Sequence, residues 1–131
     1  NPKPLYMVNV DILLTLDTGP EILAGSTRMK AGTATKMVLN MISTSTMIRL
    51  GKVYGNLMVD LMAVNKKLLD RGLRIISRVR GLNYEESEVL LKNANYSAKC
   101  AIVMSFLNCS LKEAKKELES SNGFLSKVLN G

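Results

Sequence analysis

Residues 17–35 read DTGPEILAGSTRMKAGTAT, and they separate a short apolar run from a long helical pattern. The run over residues 11–16 is rich in apolar and β-branched side chains, which is typical of a buried strand. From about Ser26 onward, apolar side chains recur at the spacing of a helix. The sequence therefore predicts that residues 17–35 form a loop that leads from a strand into a helix.

The start of the predicted helix offers a binding site for an anion. Ser26 or Thr27 is expected to cap the helix by accepting a hydrogen bond from an early backbone N–H. A helix start also presents unpaired N–H groups and a partial positive charge, to which Arg28 and Lys30 add full charges. The same pattern is typical of a plain capped surface helix, so both interpretations stay open at this point.

The stretch also has a distinctive order of residue types. GPE over residues 19–21 is followed by GSTRMKAGT over residues 25–33, and the likeness continues through MIRLGKVYGNLMVD over residues 47–60 and NKKL over residues 65–68. These residues resemble the signature shared by bacterial N-acetylmuramic acid 6-phosphate etherases and the glucokinase regulatory protein. The resemblance covers the first half of the chain closely and the rest loosely, and the etherases are the nearer match.

The resemblance implies a fold and a division into domains. Members of this family have a sugar isomerase domain, an α/β sandwich that binds sugar phosphates. Residues 1–81 are expected to be the carboxy-terminal part of such a domain, with one strand and two long helices. Residues 82–131 are expected to form a small three-helix cap domain, similar to the ubiquitin-associated-like bundle that ends many etherases. The chain as given is therefore expected to be mainly α.

The resemblance also implies an activity. The etherase is a carbon–oxygen lyase that cleaves the D-lactyl ether of N-acetylmuramic acid 6-phosphate by elimination and hydration. The products are N-acetylglucosamine 6-phosphate and D-lactate, in the recycling of cell-wall sugars. The family assigns the proton transfers to upstream glutamates, so no catalytic residue and no activity are expected in this chain alone. No cofactor is expected, and a non-catalytic regulator that binds sugar phosphates is the alternative function.

Five residues of the signature are expected to contact the substrate. Ser26 and Thr27 are candidates for hydrogen bonds to substrate oxygens, and Lys30 is expected to raise the local concentration of anions. Glu21 is expected to orient a sugar hydroxyl, to restrain Arg28 or to hold the turn. Arg28 has the alternative role of pairing across a subunit interface.

The composition is that of a folded protein. The chain has 131 residues, of which 47% are hydrophobic, and its mean hydropathy is +0.09. Its longest apolar runs are too short to span a bilayer, and its first residues lack the charged and apolar segments of a signal peptide. We therefore expect a cytoplasmic protein with no membrane partner. The chain has no initiator Met, so it is expected to be part of a longer protein.

The two cysteines and the absence of histidine exclude several kinds of site. Cys100 and Cys109 cannot form a structural zinc site, which needs about four Cys or His ligands. Nucleophile pairs of the Ser–His and Cys–His types are excluded as well. We expect both cysteines to be free thiols in a reducing cytosol, and we expect no metal site.

The net charge of +7 lies entirely in the first part of the chain, because residues 82–131 carry six basic and six acidic side chains. Basic residues at helical spacing are typical of a nucleic-acid-binding helix, which is a further alternative function. No aromatic residue interleaves with them for base stacking, so we expect a solvated helix face and no nucleic acid partner. These basic residues are Lys66, Lys67, Arg71, Arg74, Arg78 and Arg80.

The predicted strand over residues 11–16 needs neighbours. A lone strand cannot satisfy its backbone groups, so its neighbours are expected in upstream sequence or in another chain. An exposed apolar edge is expected to be covered by self-association. The sequence therefore predicts a homodimer.

Two long helices are predicted after the signature. The first carries apolar side chains around most of its circumference, so it is expected to be central to a core and to end near Gly51. Its main stripe comprises Ala34, Met37, Val38, Met41, Ser45 and Ile48. The second follows a connection at residues 54–56 and ends at Gly81. Its predicted inward side chains are Met58, Leu61, Met62, Leu68, Ile75, Ile76 and Val79.

Shorter helices are predicted over about 83–93, 97–107 and 110–120, followed by a last turn over 124–129. Asn83 and Ser110 are the expected caps, and Ser110 with Glu113 fits a capping box. The apolar faces of these helices are predicted at Val89, Leu90, Ala101, Ile102, Met104, Phe106, Ala114 and Leu118.

Overall fold

The computed structural model describes residues 9–130 and confirms that the chain is mainly α. Contacts divide the chain into two compact units, residues 1–45 and residues 46–131. The elements are helices α1 to α6 and one two-stranded sheet. In chain order they are α1 (Lys30–Arg49), β1 (Val53–Tyr54), β2 (Leu57–Met58), α2 (Lys66–Arg80), α3 (Tyr84–Asn93), α4 (Ala98–Leu107), α5 (Leu111–Ser120) and α6 (Leu125–Asn130).

The strand predicted over residues 11–16 is wrong for this chain, because the segment has no regular secondary structure. A strand persists only when a neighbour takes up its backbone hydrogen bonds. Within residues 9–130, the structure pairs β1 with β2 and adds an isolated bridge between Met62 and Ser97. Neither pairing involves the predicted strand, and most of its side chains are exposed.

Helix α1 confirms the first predicted long helix, but it begins at Lys30 rather than near Ser26. None of its residues is buried, so the prediction that it is central to a core is wrong for this chain. The physical reason is that residues 9–130 place no apolar layer over most of its surface. Its exposed large apolar side chains are Met37, Leu39, Met41, Ile42, Met47 and Ile48.

A β-hairpin follows α1 where the sequence predicted only a connection. Val53 pairs with Met58 and Tyr54 with Leu57, across a two-residue turn whose Gly55 has a left-handed φ of 56°. Glycine in a two-residue loop between apolar pairs favours such a turn. The prediction that the second long helix follows directly after residues 54–56 therefore places the start of that helix too early.

Helix α2 begins at Lys66, where the side chain of Asn65 accepts a hydrogen bond from the backbone N–H of Leu68 at 2.9 Å. It ends at Gly81 as predicted, and this glycine adopts the left-handed conformation that closes a helix. Ile75 and Ile76 are buried as predicted. Met58 and Met62, which were also predicted to face inward on this helix, lie outside it and are exposed.

The shorter helices confirm their predicted positions and caps. Asn83 and Ser110 each form a capping box, with Glu86 and Glu113 respectively. These reciprocal hydrogen bonds satisfy backbone N–H groups that a helix start otherwise leaves unpaired. Ser97 caps α4 by accepting from the N–H of Cys100.

The core of residues 46–131 joins α2 to the shorter helices. Its most deeply buried side chains include Val59, Ile76, Leu91, Ile102, Val103 and Leu125. Most of the predicted apolar faces lie against this core, but Val89 and Phe106 are 59% and 43% exposed, so their predicted placement is wrong. The domain boundary predicted between residues 81 and 82, and the ubiquitin-associated-like bundle, stay predictions.

A buried lysine holds the segment that follows α1. The Nζ of Lys99 on α4 donates a hydrogen bond to the carbonyl oxygen of Gly51 at 2.8 Å, and it lies 3.9 Å from an oxygen of Asp60. Burial lowers the pKa of Lys99, while the charge of Asp60 opposes that shift. Lys99 therefore ties α4 to the chain at the end of α1.

No helix formed within residues 9–130 has both the length and the apolar character that crossing a membrane requires.

Gly51 is predicted to tolerate alanine less well than Gly55. Both have left-handed φ, but a Cβ on Gly51 would lie 2.8 Å from the carbonyl oxygen of Gly123, whereas a Cβ on Gly55 meets nothing within 4 Å. We expect Gly55→Ala to cost about 1 kcal/mol from backbone strain, and Gly51→Ala about 1–3 kcal/mol more from the overlap. Urea unfolding of the two variants measures the difference. Equal midpoints would contradict the close approach at Gly51.

Candidate functional site

Helix α1 is capped by a carboxylate from nine residues upstream. The two oxygens of Glu21 accept hydrogen bonds from the backbone N–H groups of Lys30 and Ala31, at 3.1 and 3.0 Å. These are the first two residues of α1. The prediction that Ser26 or Thr27 caps the helix is therefore wrong, because Glu21 takes the N–H groups that such a cap would use.

Two turns bring Glu21 back to the helix. Gly19 and Gly25 both adopt left-handed φ values, 66° and 81°, which L-amino acids with a side chain rarely adopt. The N–H of Gly19 donates to a carboxylate oxygen of Asp17 at 3.2 Å, and the Nζ of Lys30 donates to the carbonyl oxygen of Pro20 at 2.9 Å. The chain from Asp17 to Gly25 is thus held over the start of α1.

The charge on Glu21 is stabilised by this arrangement. The backbone N–H groups of Ala31 and Lys30 hold the pKa of Glu21 below its usual value, and the Lys30 charge lowers it further. A carboxylate with a lowered pKa is ionised at neutral pH and is a weak base. The positive end of α1 is therefore already occupied by the protein's own anion.

A cavity of about 250 Å³ lies beside this cap. Its lining consists of Glu21, Leu23, Ser26, Arg28 and Met29. Three of the five residues predicted to bind substrate thus share one cavity. The other two, Thr27 and Lys30, do not line it.

Polar side chains at this corner are available to a ligand. The hydroxyls of Ser26 and Thr27 and the guanidinium of Arg28 make no hydrogen bond to another residue in the stretch from 9 to 130. Ser26 is half-buried, whereas Thr27 and Arg28 are exposed. The corner can therefore donate hydrogen bonds and a positive charge to a bound molecule, but it offers no free general base.

A second cavity in residues 1–45 is apolar. It has a volume of about 440 Å³ and is lined by residues 13–16 together with Thr35, Val38, Leu39 and Ile42. None of these side chains is ionisable. The described residues therefore give this cavity no ionisable group for acid–base chemistry or for pairing with a charged ligand.

The part of the chain that the structure describes contains no cluster of His, Cys, Asp or Glu that could hold a metal ion. Both cysteines are free, with Cys100 buried and Cys109 half-buried. Burial raises the pKa of Cys109, so its thiol is protonated at neutral pH.

The sequence left open a structural role for Glu21 at the turn, but it did not predict that Glu21 caps α1. A local cap can be recognised because the capping residue lies within three residues of the N–H that it binds. Glu21 is separated from its partners by nine and ten residues, so this spacing carries no such signal.

Comparison with known proteins shows which proteins this chain is similar to. A protein from Clostridium acetobutylicum named N-acetylmuramic acid 6-phosphate etherase is 51% identical over 129 residues, which is 98% of this chain. Proteins of the same name from Oceanobacillus iheyensis and Geobacillus thermodenitrificans are 53% and 50% identical over 118 and 119 residues, or 90% and 91% of this chain. This chain is homologous to the N-acetylmuramic acid 6-phosphate etherases. No protein-family model matches it.

The etherase resemblance seen in the signature is thereby confirmed, and it extends well beyond the first half of the chain. The chain spans about two fifths of the relatives' length, namely 43% of the C. acetobutylicum etherase and 40% of each of the other two. It corresponds to the carboxy-terminal portion of these etherases, as predicted.

The capping role of Glu21 predicts a specific pH dependence. Because its folded-state pKa is lowered, the cap contributes stability above the unfolded pKa of about 4.3 and loses it as pH falls through the lower folded value. We expect the carboxyl ¹³C shift of Glu21 and the amide shifts of Lys30 and Ala31 to titrate with one shared midpoint below 4.3, measured by NMR. In Glu21→Gln the amide transition should vanish. A midpoint at or above 4.3 would contradict the cap.

Proposed function

We propose that the protein carrying this chain is an N-acetylmuramic acid 6-phosphate etherase, a lyase that acts in the recycling of cell-wall sugars. The observation that carries the proposal is identity of about one half to named etherases over nine tenths or more of the chain. The reaction removes a proton beside the carbonyl of the opened sugar, and the ether bond to the lactyl group then breaks. Addition of water to the resulting double bond gives N-acetylglucosamine 6-phosphate, and the leaving group is D-lactate.

In this proposal the corner around Glu21 forms one wall of the substrate pocket. Ser26 and Arg28 line a cavity and have donors without a partner among residues 9–130, so they can bind sugar or phosphate oxygens. Thr27 lies beside them, and its hydroxyl has no partner among the same residues, so it completes the set of donors. Lys30 acts indirectly. Its ammonium donates a hydrogen bond to the Pro20 carbonyl oxygen, and its charge attracts anions.

Glu21 is a positioning residue in this proposal. Both of its oxygens accept backbone hydrogen bonds, and its pKa is lowered, so it is a poor proton acceptor at neutral pH and has no proton to donate. The general base and the general acid are therefore proposed to be glutamates outside this chain. This is consistent with a chain that spans about two fifths of its etherase relatives.

The expected homodimer and the cytoplasmic location are parts of the same proposal. What supports association is the set of exposed apolar side chains on α1, which are normally covered in a folded assembly. The non-catalytic regulator has no comparable support, because the relatives named above are etherases.

The proposal predicts that the free donors of the corner act in catalysis and not in folding. In the full-length protein, Ser26→Ala and Arg28→Gln should each lower kcat/KM for N-acetylmuramic acid 6-phosphate by about tenfold or more, since each removes a hydrogen bond to the substrate. Their Tm values should stay within about 2 °C of the wild type, because these side chains make no bond to residues 9–130. Lactate release and thermal unfolding measure the two effects.

Ser45→Ala is the matched control, because Ser45 is an exposed hydroxyl on α1 that does not line the cavity. Its kcat/KM should equal that of the wild type. Unchanged kinetics in both Ser26→Ala and Arg28→Gln would rule out the corner as a substrate-binding wall.

A further inference from the structure

Residues 46–131 contain a cavity that is lined by several positively charged side chains. It has a volume of about 210 Å³ and lies between the exposed face of α2 and the β-hairpin. Three arginines of α2, Arg71, Arg74 and Arg78, line it together with residues 56–58 and Ile75. No other ionisable side chain among the described residues lines the cavity, so the wall that they form is cationic.

The three arginines occupy successive turns of one helix face. Their spacing of three and four residues places them on one side of α2, over a rise of about 10 Å between the first and the last. Their long side chains reach a common space above the apolar surface of Leu57 and Ile75. An anion in this space could accept hydrogen bonds from several guanidinium groups at once.

One of the arginines is held in place by neighbouring residues. The Nε of Arg74 donates to a carboxylate oxygen of Asp70 at 2.9 Å, and the hydroxyl of Tyr84 donates to the other oxygen at 2.6 Å. The hydrogen bond from Tyr84, followed by the charge of Arg74, holds the pKa of Asp70 below its usual value. Asp70 therefore stays ionised at neutral pH and fixes the Nε edge of Arg74.

The other two arginines are unpaired. Over residues 9–130, neither Arg71 nor Arg78 has a hydrogen bond or an ion pair to another side chain. Like charges that line one small cavity repel each other, and a bound anion relieves that repulsion. The cavity thus holds two uncompensated cations beside one that is already oriented.

Two further basic residues of α2 lie outside the lining of this cavity, and a third is bonded to another residue. Lys66 and Lys67 do not line the cavity. Arg80 donates to the hydroxyl and the carbonyl of Ser105 at 3.0 and 3.2 Å, and its guanidinium lies 5.2 Å from the ring centre of Phe106. The cavity volume of about 210 Å³ therefore suits a small anion better than the long polyanion that a nucleic-acid-binding helix would take.

We propose that this arginine cavity, formed by Arg71, Arg74 and Arg78, binds a phosphate monoester. A phosphate group presents oxygens in three dimensions and can accept from three separate guanidinium groups, whereas a planar carboxylate is satisfied by one bidentate arginine. The apolar surface of Leu57 and Ile75 contacts the carbon skeleton of the ligand. Its lining residues differ from those of the cavity beside Glu21, and the proposal does not depend on the proposed etherase activity.

The test uses the 131-residue chain, labelled with ¹⁵N and titrated with glycerol 3-phosphate at constant ionic strength. We expect saturable shifts in the Nε–H signals of the three arginines and in the backbone amides of residues 56–58. Glycerol at the same concentrations should cause no shift. Shifts that are absent, or that rise linearly without saturation, would overturn the proposal.

Matched variants separate a built site from a general charge effect. Arg71→Gln and Arg78→Gln should each weaken binding by about tenfold, the value of one charge-assisted hydrogen bond. Lys67→Gln removes the same charge from the same helix outside the cavity, so it should change the affinity by less than twofold. All three side chains are exposed, and the substitutions should leave the fold intact. An equal effect of Lys67→Gln would overturn the site.

A short single-stranded DNA provides the remaining comparison. The proposal is wrong, and the surface is a nucleic acid interface, if two results occur together. The DNA would bind more tightly than glycerol 3-phosphate, and Lys66→Gln and Lys67→Gln would weaken DNA binding as much as the arginine variants do. Ser26→Ala should leave unchanged the glycerol 3-phosphate affinity that is read from the arginine Nε–H signals. A loss of those arginine shifts in that variant would tie them to a ligand at the Glu21 corner and would overturn the second site.

Discussion

The hydrogen bonds from the first two N–H groups of α1 to the carboxylate of Glu21 are the constraint on which the candidate site depends. They decide where α1 begins and they hold the chain between Pro20 and Lys30 against the helix start. Because Glu21 satisfies these donors, Ser26 and Thr27 are not needed as caps, and their hydroxyls have no partner within residues 9–130. The same contact that organises the corner therefore leaves these polar groups available to a ligand.

Residues 46–131 are held together by a shared apolar core that their helices bury. Local caps close the helix ends, and Asn83 and Ser110 are the clearest cases. The buried ammonium of Lys99 donates a hydrogen bond to the carbonyl oxygen of Gly51 at the end of α1. This hydrogen bond takes the place of one to water. These residues form a framework with its own core, whereas α1 leaves its apolar side chains exposed.

The sequence predicted the structure best where the interactions join residues that are close to each other in the chain. Gly81, Asn83 and Ser110 act within a few residues of themselves, so their roles as helix ends and caps could be predicted and are confirmed. The prediction of a strand over residues 11–16 is wrong because a strand needs a partner, and residues 9–130 do not supply one. The hairpin at Gly55 carried a local turn signal, but the helical spacing of the surrounding apolar residues obscured it.

The site shows the same division between local and distant effects. The order of residue types in the signature indicated a resemblance to the etherases, and the comparisons confirm that resemblance. The cap by Glu21 depends on contacts nine and ten residues away, and the grouping of Glu21, Ser26 and Arg28 around one cavity follows from that cap. Side-chain positions of this kind follow from the folded chain and not from spacing alone.

We propose that this chain supplies one wall of a pocket for a phosphorylated sugar, while the groups that transfer protons lie in the rest of a longer protein. The release of D-lactate from N-acetylmuramic acid 6-phosphate can be compared between the full-length protein and the 131-residue chain, at equal molar concentrations. We expect turnover by the full-length protein and none by the chain alone. Lactate release by the chain alone, or none by the full-length protein, would show that this division of roles is wrong.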